Sequence, residues 1–192
     1  MLDISPATDA TADILRAITD DQLDAPTPCT GLTVADLLEH VGGLSLAFAM
    51  AARKEPGAAG TSATFDGSRL APDWRERIPA ALDDLASAWS DPAAWEGMTS
   101  AGGIDMPGEI SGLVALDEVV VHGWDLAAAT GQTLDVDDCL LVPLIELVQQ
   151  FGSEDPGPDA AFGRPVPIPD VAPPLHHVLG LTGRDPGWTP PA

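Results

Sequence analysis

The stretch ALDEVVVHGWDLAAATG, residues 115–131, has the apolar content of a buried helix and carries charged side chains within it. Gly131 stands where a glycine commonly ends a helix. Glu118 and His122 are four positions apart, so a helix places both side chains on one face. Since charged groups are rarely buried without a partner, this face predicts either an ion pair or a bound metal.

A second helix is predicted at TVADLLEHVGG, residues 33–43, where Thr33 and Asp36 have the spacing of a capping box. This helix contributes a further histidine. Two imidazoles and one carboxylate can hold a divalent metal and leave positions for water or substrate, whereas structural zinc sites usually have four protein ligands. The candidate metal ligands are His40, Glu118 and His122.

Several residues near these motifs have more than one possible role. Asp125 can be a ligand, a hydrogen-bond partner of a ligand, or a partner of a helix end. Cys29 precedes a helix N-terminus, which can activate a thiol, although a small buried apolar role is favoured. Cys139 is expected in the core, and His176 and His177 are expected to be structural.

The remaining pattern predicts an all-α protein, a four-helix bundle with a short hairpin crossover at residues 95–109. Residues 55–70 predict a loop. We expect a metal-binding bundle over residues 1–151 and a Pro-rich tail over residues 152–192 that packs on it. Helices are predicted from residue 4 or 9 to residue 23 and at residues 33–53, 72–89, 107–131, 134–151 and 175–181.

The chain is strongly acidic, with 30 acidic and 8 basic residues and a net charge of −22. Such a charge disfavours nucleic acids and anionic membrane surfaces as partners. No apolar run suggests a membrane span and no leader is evident, so we expect a cytoplasmic protein with free thiols. The basic residues concentrated between Arg53 and Arg77 are expected to balance surface charge.

Three segments resemble the mycothiol-dependent maleylpyruvate isomerase N-terminal-domain family, part of the DinB-like bundle superfamily. TPCTGLTVADLLEHVGG, residues 27–43, resembles its opening, and DEVVVHGWDLAAATGQ, residues 117–132, resembles its second metal motif. The tail, residues 162–188, resembles the ending of a small single-domain metal-binding subgroup. The resemblance covers nearly the whole chain and implies a DinB-like fold.

The resemblance implies that His40, Glu118 and His122 bind a metal, usually zinc, which activates a low-molecular-weight thiol such as mycothiol or bacillithiol. It predicts a thiol-cofactor-dependent transferase or isomerase-like enzyme, monomeric or homodimeric, that acts on an unknown substrate. The alternatives are a non-catalytic metal-binding protein and a metal-assisted hydrolase. Leu32 replaces a tryptophan common in the family, and the isomerase has an extra C-terminal domain, so isomerisation of maleylpyruvate does not follow.

Overall fold

The computed structural model describes residues 1–55, 64–153, 155 and 162–191, and it confirms the all-α class. The described residues contain α1 (Ser5–Ala17), α2 (Val34–Ala52), α3 (Trp74–Trp89), α4 (Gly108–Ala129), α5 (Asp138–Phe151) and α6 (Pro174–Leu181). Helices α1 to α4 form the bundle: each of α1 and α2 packs against both α3 and α4, and α5 packs against α4 and α6. The apolar side chains of these helices share one core.

The predicted hairpin connects α3 to α4. Strands β1 (Met98–Ala101) and β2 (Ile104–Pro107) pair antiparallel. The two residues between them, Gly102 and Gly103, have φ angles of 58° and 82°. This left-handed backbone favours glycine because a side chain would be strained there. The hairpin therefore sets the point at which α4 begins.

Helix α2 begins with the predicted capping box. The Thr33 N–H donates to the Asp36 carboxylate at 2.8 Å, and the Asp36 N–H donates to the Thr33 hydroxyl at 3.3 Å. The length of α2 and its mean hydropathy of 1.3 would suit a membrane span, but 61% of the 18-residue stretch that meets this criterion is buried inside the fold. A buried core helix can have the same length and hydropathy as a membrane span. The contacts of α2 with α3 and α4 therefore explain its apolar composition.

Two helix boundaries differ from those predicted. Helix α1 ends at Ala17, because Thr19 begins a separate 3₁₀ turn in which the Gln22 side chain accepts its N–H at 3.0 Å. Helix α5 begins at Asp138 rather than at residue 134. Cys139 lies in the first turn of α5 and is exposed, so its prediction as a core residue is wrong.

The described part of the tail returns to the bundle, where Val178 of α6 joins the core. A Cβ on Gly180 would lie 2.2 Å from the Ile168 side chain, so glycine permits the close crossing of the extended tail and α6. Residues 56–63 of the predicted loop, and residues 154 and 156–161 of the Pro-rich segment, lie outside the described residues. The division at residue 151 stays a prediction.

Three of the five basic residues between positions 53 and 77 lie beside carboxylates, in agreement with the charge-balance interpretation, whereas Lys54 donates to two backbone carbonyls and Arg69 donates to a hydroxyl. Arg53 donates to Asp84 at 2.9 Å. Arg75 lies 2.8 Å from Asp20. These contacts hold neighbouring helices and turns together at the surface.

Candidate metal centre

The bundle brings the three predicted ligands together, His40 from α2 and the other two from α4. The Oε2 atom of Glu118 lies 3.1 Å from Nε2 of His122 and 3.8 Å from Nε2 of His40. One candidate ligand atom from each residue lies within 4.8 Å of the others. His40 and His122 are 7% and 6% exposed, so the cluster lies mostly inside the fold.

The ring of His40 is held by aromatic contacts. Phe65 stacks on it with the ring centroids 3.6 Å apart, and His122 meets it edge-on at 5.0 Å. Its Nδ1 atom is buried without a hydrogen-bond partner among the described residues. The other ring nitrogen of His40, Nε2, is the one that faces Glu118 on α4.

The ring of His122 is held by a carboxylate. Its Nδ1 lies 3.0 Å from Oδ2 of Asp125, which is fully buried. The same oxygen accepts a hydrogen bond from Nη2 of Arg184 at 3.2 Å. When Nε2 loses its proton, a proton kept on Nδ1 leaves the Nε2 lone pair facing Glu118 and His40. Of the three roles open to Asp125, the geometry selects the hydrogen-bond partner of a ligand.

Three residues of α4 on the wall of this site, Asp117, Glu118 and His122, have strongly shifted pKa values. Burial alone would lower the pKa of His122, but hydrogen bonds with Asp125 and Glu118 outweigh it and raise the pKa to about 9. Burial would raise the pKa of Glu118, but hydrogen bonds from His122 and His40 hold it well below its usual range. Burial, followed by the charge of Glu118, raises the pKa of Asp117 to about 7.

A cavity of about 480 Å³ opens beside the trio. This volume lies in the range of small-molecule sites, about 300–1,000 Å³. Cys29 lies half-buried on its wall, and burial raises the pKa of its thiol, so the predicted small buried apolar role fits better than an activated thiolate. The trio shares this cavity with Cys29, Phe65, Asp117, Phe162 and Arg184.

The donors present fit a divalent metal. Two imidazole nitrogens and a carboxylate oxygen form the three-ligand set of many catalytic zinc sites, in which a further position remains for water or substrate. The contact between His122 and Asp125 is the kind that metal-binding histidines usually make with their second nitrogen. All three candidate ligand residues lie on the wall of the cavity.

Sequence reasoning missed Phe65, Asp117 and Arg184. Asp117 had a usable signal, since it is a second carboxylate beside Glu118 on a helix that reads as buried. Arg184 had a weaker one, as one of only 8 basic residues in an acidic chain. Nothing in the sequence pairs it with Asp125, 59 positions earlier. His176 and His177 lie on α6 and do not join the trio.

Comparison with solved structures agrees with the helical fold. The crystal structure of a mycothiol-dependent maleylpyruvate isomerase aligns with a TM-score of 0.57 at 20% identity, over 76% of this chain and 66% of that one. A mutant of the enzyme aligns with a TM-score of 0.58, also at 20% identity, over 80% of this chain and 70% of that one. The chain thus spans about two thirds of the solved isomerase, and the likeness shows a shared fold.

Relatives by sequence extend over almost the full length. Two proteins of Mycobacterium tuberculosis, uncharacterized protein Rv0738 of strain H37Rv and uncharacterized protein MT0763 of strain CDC 1551, are each 31% identical over 180 residues. The alignment covers 93% of this chain and 93% of each relative. The family model described as the mycothiol maleylpyruvate isomerase N-terminal domain matches residues 4–127. The chain belongs to the mycothiol maleylpyruvate isomerase N-terminal domain family.

Proposed function

We propose that the protein binds a divalent metal, with zinc as the expected ion, through His40, Glu118 and His122. We further propose that it uses a low-molecular-weight thiol such as mycothiol in a transferase or isomerase-like reaction on a small substrate. The observation that carries this proposal is the convergence of three ligand atoms within 4.8 Å at the wall of a cavity. Family membership supports the choice of thiol.

The residues of the site have separable tasks in this proposal. His40, Glu118 and His122 hold the metal, and Asp125 keeps the Nε2 lone pair of His122 directed at it. A metal bound there would lower the pKa of a coordinated thiol or water. Phe65, stacked on His40, keeps bulk water from one side of that ligand.

The cavity favours an enzyme over a protein that only stores or senses metal. A purely structural metal site needs four protein ligands and no adjoining space. Here the three ligands lie beside about 480 Å³ of space that also contains Asp117 and Arg184. A carboxylate and a guanidinium in one cavity offer an acceptor and a cation to a polar small molecule.

Metal analysis of untagged protein tests the ligand set. We expect about one zinc per chain in the wild type and little in His40→Ala, Glu118→Gln or His122→Ala, because each variant removes a ligand. His177→Ala is the matched control, since His177 lies at a separate cavity beside Ile145 of α5. Equal metal content in all variants would overturn the proposal.

Calorimetric titration of the metal-loaded protein tests the thiol. We expect mycothiol to bind and the S-methylated molecule to bind much more weakly, because the methyl group prevents thiolate formation. Equal binding of both forms would contradict a thiol at the metal. Metal-dependent turnover of simple esters or amides without thiol would instead support the hydrolase, in which bound water attacks.

A further inference from the structure

We propose that Arg184 is a positioning residue for the metal centre, acting through Asp125 on the imidazole of His122. The C-terminal tail would thereby set the metal affinity of ligands that lie on α2 and α4. The inference rests on the proposed function, because it concerns the same metal site. It adds to that site a residue that supplies no ligand atom.

The three groups form one continuous path. Nη2 of Arg184 lies 3.2 Å from Oδ2 of Asp125, and that oxygen lies 3.0 Å from Nδ1 of His122. Asp125 is fully buried and the Arg184 side chain is 14% exposed, so water does little to weaken these contacts. A hydrogen bond between charged groups is roughly twice as strong as a neutral one.

Asp125 depends on this path for its orientation. Its other oxygen, Oδ1, is buried and has no partner within the described part of the chain. Both of its partners, Arg184 and His122, therefore meet the same oxygen. Without Arg184, the carboxylate keeps His122 as its single partner and loses the guanidinium that helps to neutralise it, and a buried charge that is less compensated is unfavourable. The direction of the His122 ring then has weaker support.

The tail backbone holds Arg184 in place for this role. Its N–H donates to the Leu179 carbonyl at 2.8 Å, and its Nη1 donates to the Thr182 carbonyl at 2.9 Å. The preceding residue, Gly183, has a φ angle of 88°, and a Cβ there would lie 2.8 Å from Cα of Gly163. Only glycine allows this approach, so the chain enters Arg184 in a defined direction.

A competing explanation is that Arg184 serves the cavity alone. It lies on the cavity wall, and its Nε is buried without a partner among the described residues. A residue that only binds the small molecule would leave metal affinity unchanged in the absence of that molecule. Zinc affinity measured without thiol or substrate therefore separates the two roles.

The experiment compares zinc affinity of the metal-free full chain by competition with a chromophoric chelator. We expect Arg184→Met and Asp125→Asn each to weaken zinc binding by about 10–100-fold, the usual effect of losing an outer hydrogen-bond partner of a ligand. Arg184→Lys should recover part of the loss. The double variant should be little weaker than either single one, because both act on one path.

Two further readouts separate positioning from general stability. The visible spectrum of the cobalt-substituted protein should change in Arg184→Met, because the ligand field depends on the direction of the His122 ring. Arg53→Met, which removes a surface ion pair with Asp84, should leave both the spectrum and the zinc affinity unchanged. If Arg184→Met does not fold, the lysine and Asp125→Asn variants still give the comparison.

The possible failures are distinguishable. Zinc binding by the wild type, together with affinities within twofold for Arg184→Met and Arg184→Lys, would overturn the positioning role and leave the proposed function intact. A lower melting temperature of metal-free Arg184→Met with unchanged zinc affinity and cobalt spectrum would show a structural role and would also overturn it. A wild type that binds no zinc would refute the proposed function, and this inference with it.

Discussion

The first half of α4, taken as residues 108–116, and the second half, residues 117–129, are both mostly buried, but they meet different partners. In the first half, Gly112 packs so closely on two aromatic rings that a Cβ would lie 2.7 Å from Trp95 and 3.0 Å from Trp89. In the second half, Glu118 and His122 face a histidine and a cavity. One helix therefore contributes to the apolar core along its length and, in its second half, to a polar site as well.

The difference shows which half can be explained by folding alone. The first half makes the close contacts of a packed interior, which stabilise the fold. Around the second half, the buried atoms Asp117 Oδ1, Asp125 Oδ1 and His40 Nδ1 of α2 have no partner in the described structure, whereas the first half contributes one such side-chain atom, Ser111 Oγ. Burying such groups is unfavourable, so packing explains less of the second half than of the first. Substitutions in the two halves should then have separable effects.

The largest expected change in stability is that of Trp95→Ala. Trp95 is 8% exposed, stacks edge-on with Trp89 at 5.1 Å and donates its indole N–H to the Trp89 carbonyl at 2.8 Å. Removing the ring leaves a cavity beside Gly112, so we expect the free energy of unfolding to fall by about 3–5 kcal/mol. Urea unfolding of the metal-free protein measures this.

Zinc affinity should be unchanged in Trp95→Ala, because Trp95 does not line the cavity beside the candidate ligands. Trp95→Phe is the matched control: it keeps a ring and loses the N–H bond, so its loss of stability should be smaller. A large drop in zinc affinity in a folded Trp95→Ala protein would show that the two halves of α4 are coupled.

An intermediate effect is expected from pH. The pKa of His122 in the metal-free protein is raised to about 9, and zinc binds only the unprotonated ring. Below that pH, a proton competes with the metal for the ring of His122. Zinc affinity should therefore fall by about tenfold for each unit by which the pH is lowered. Chelator competition at pH 7.5 and 8.5 measures the slope, and equal affinities at the two values would contradict it.

The stability of the metal-free protein should change in the opposite direction. The pKa of His122 rises from its ordinary 6.5 to about 9, so its contribution to stability is complete below pH 6.5 and is lost as pH rises through 9. The pKa of Asp117 rises from 3.8 to about 7, so its contribution is also lost as pH rises, between those values. As pH rises from 6.5 to 9, urea unfolding of the metal-free protein should show falling stability, whereas zinc affinity should increase.

The sequence predicted the parts of this site that depend on local spacing. Four-residue spacing placed Glu118 and His122 on one face, and the Thr33–Asp36 box fixed where the helix with His40 begins. Both features depend on residues that are close in the sequence, where helix geometry leaves little freedom. The family resemblance then connected the two helices, which spacing alone did not do.

What the sequence did not predict depends on contacts between distant segments. The partner of Asp125 comes from the tail, and Phe65, stacked on His40, follows a segment predicted only as a loop. The exposure of Cys139 was also missed, because the predicted start of α5 was four residues too early. Because α5 begins at Asp138, Cys139 lies in the exposed first turn of the helix and not in its interior.

The smallest expected effect is that of Arg53→Met. It tests whether a polar contact is strong in this fold because it is charged or only when it is also buried, as in the second half of α4. Arg53 and Asp84 make a well-formed ion pair, but their side chains are 37% and 49% exposed. Solvent weakens such a pair, so the free energy of unfolding should fall by about 0.2–1 kcal/mol. The hydrogen bond from Arg53 lowers the pKa of Asp84, so this contribution is present above pH 3.8 and is lost as pH falls. A double-mutant cycle with Asp84→Asn, run by urea unfolding at pH 7, isolates the pair. A coupling of several kcal/mol would mean that charge pairing without burial is enough to make a polar contact strong in this fold. Burial would then no longer distinguish the second half of α4 from the surface.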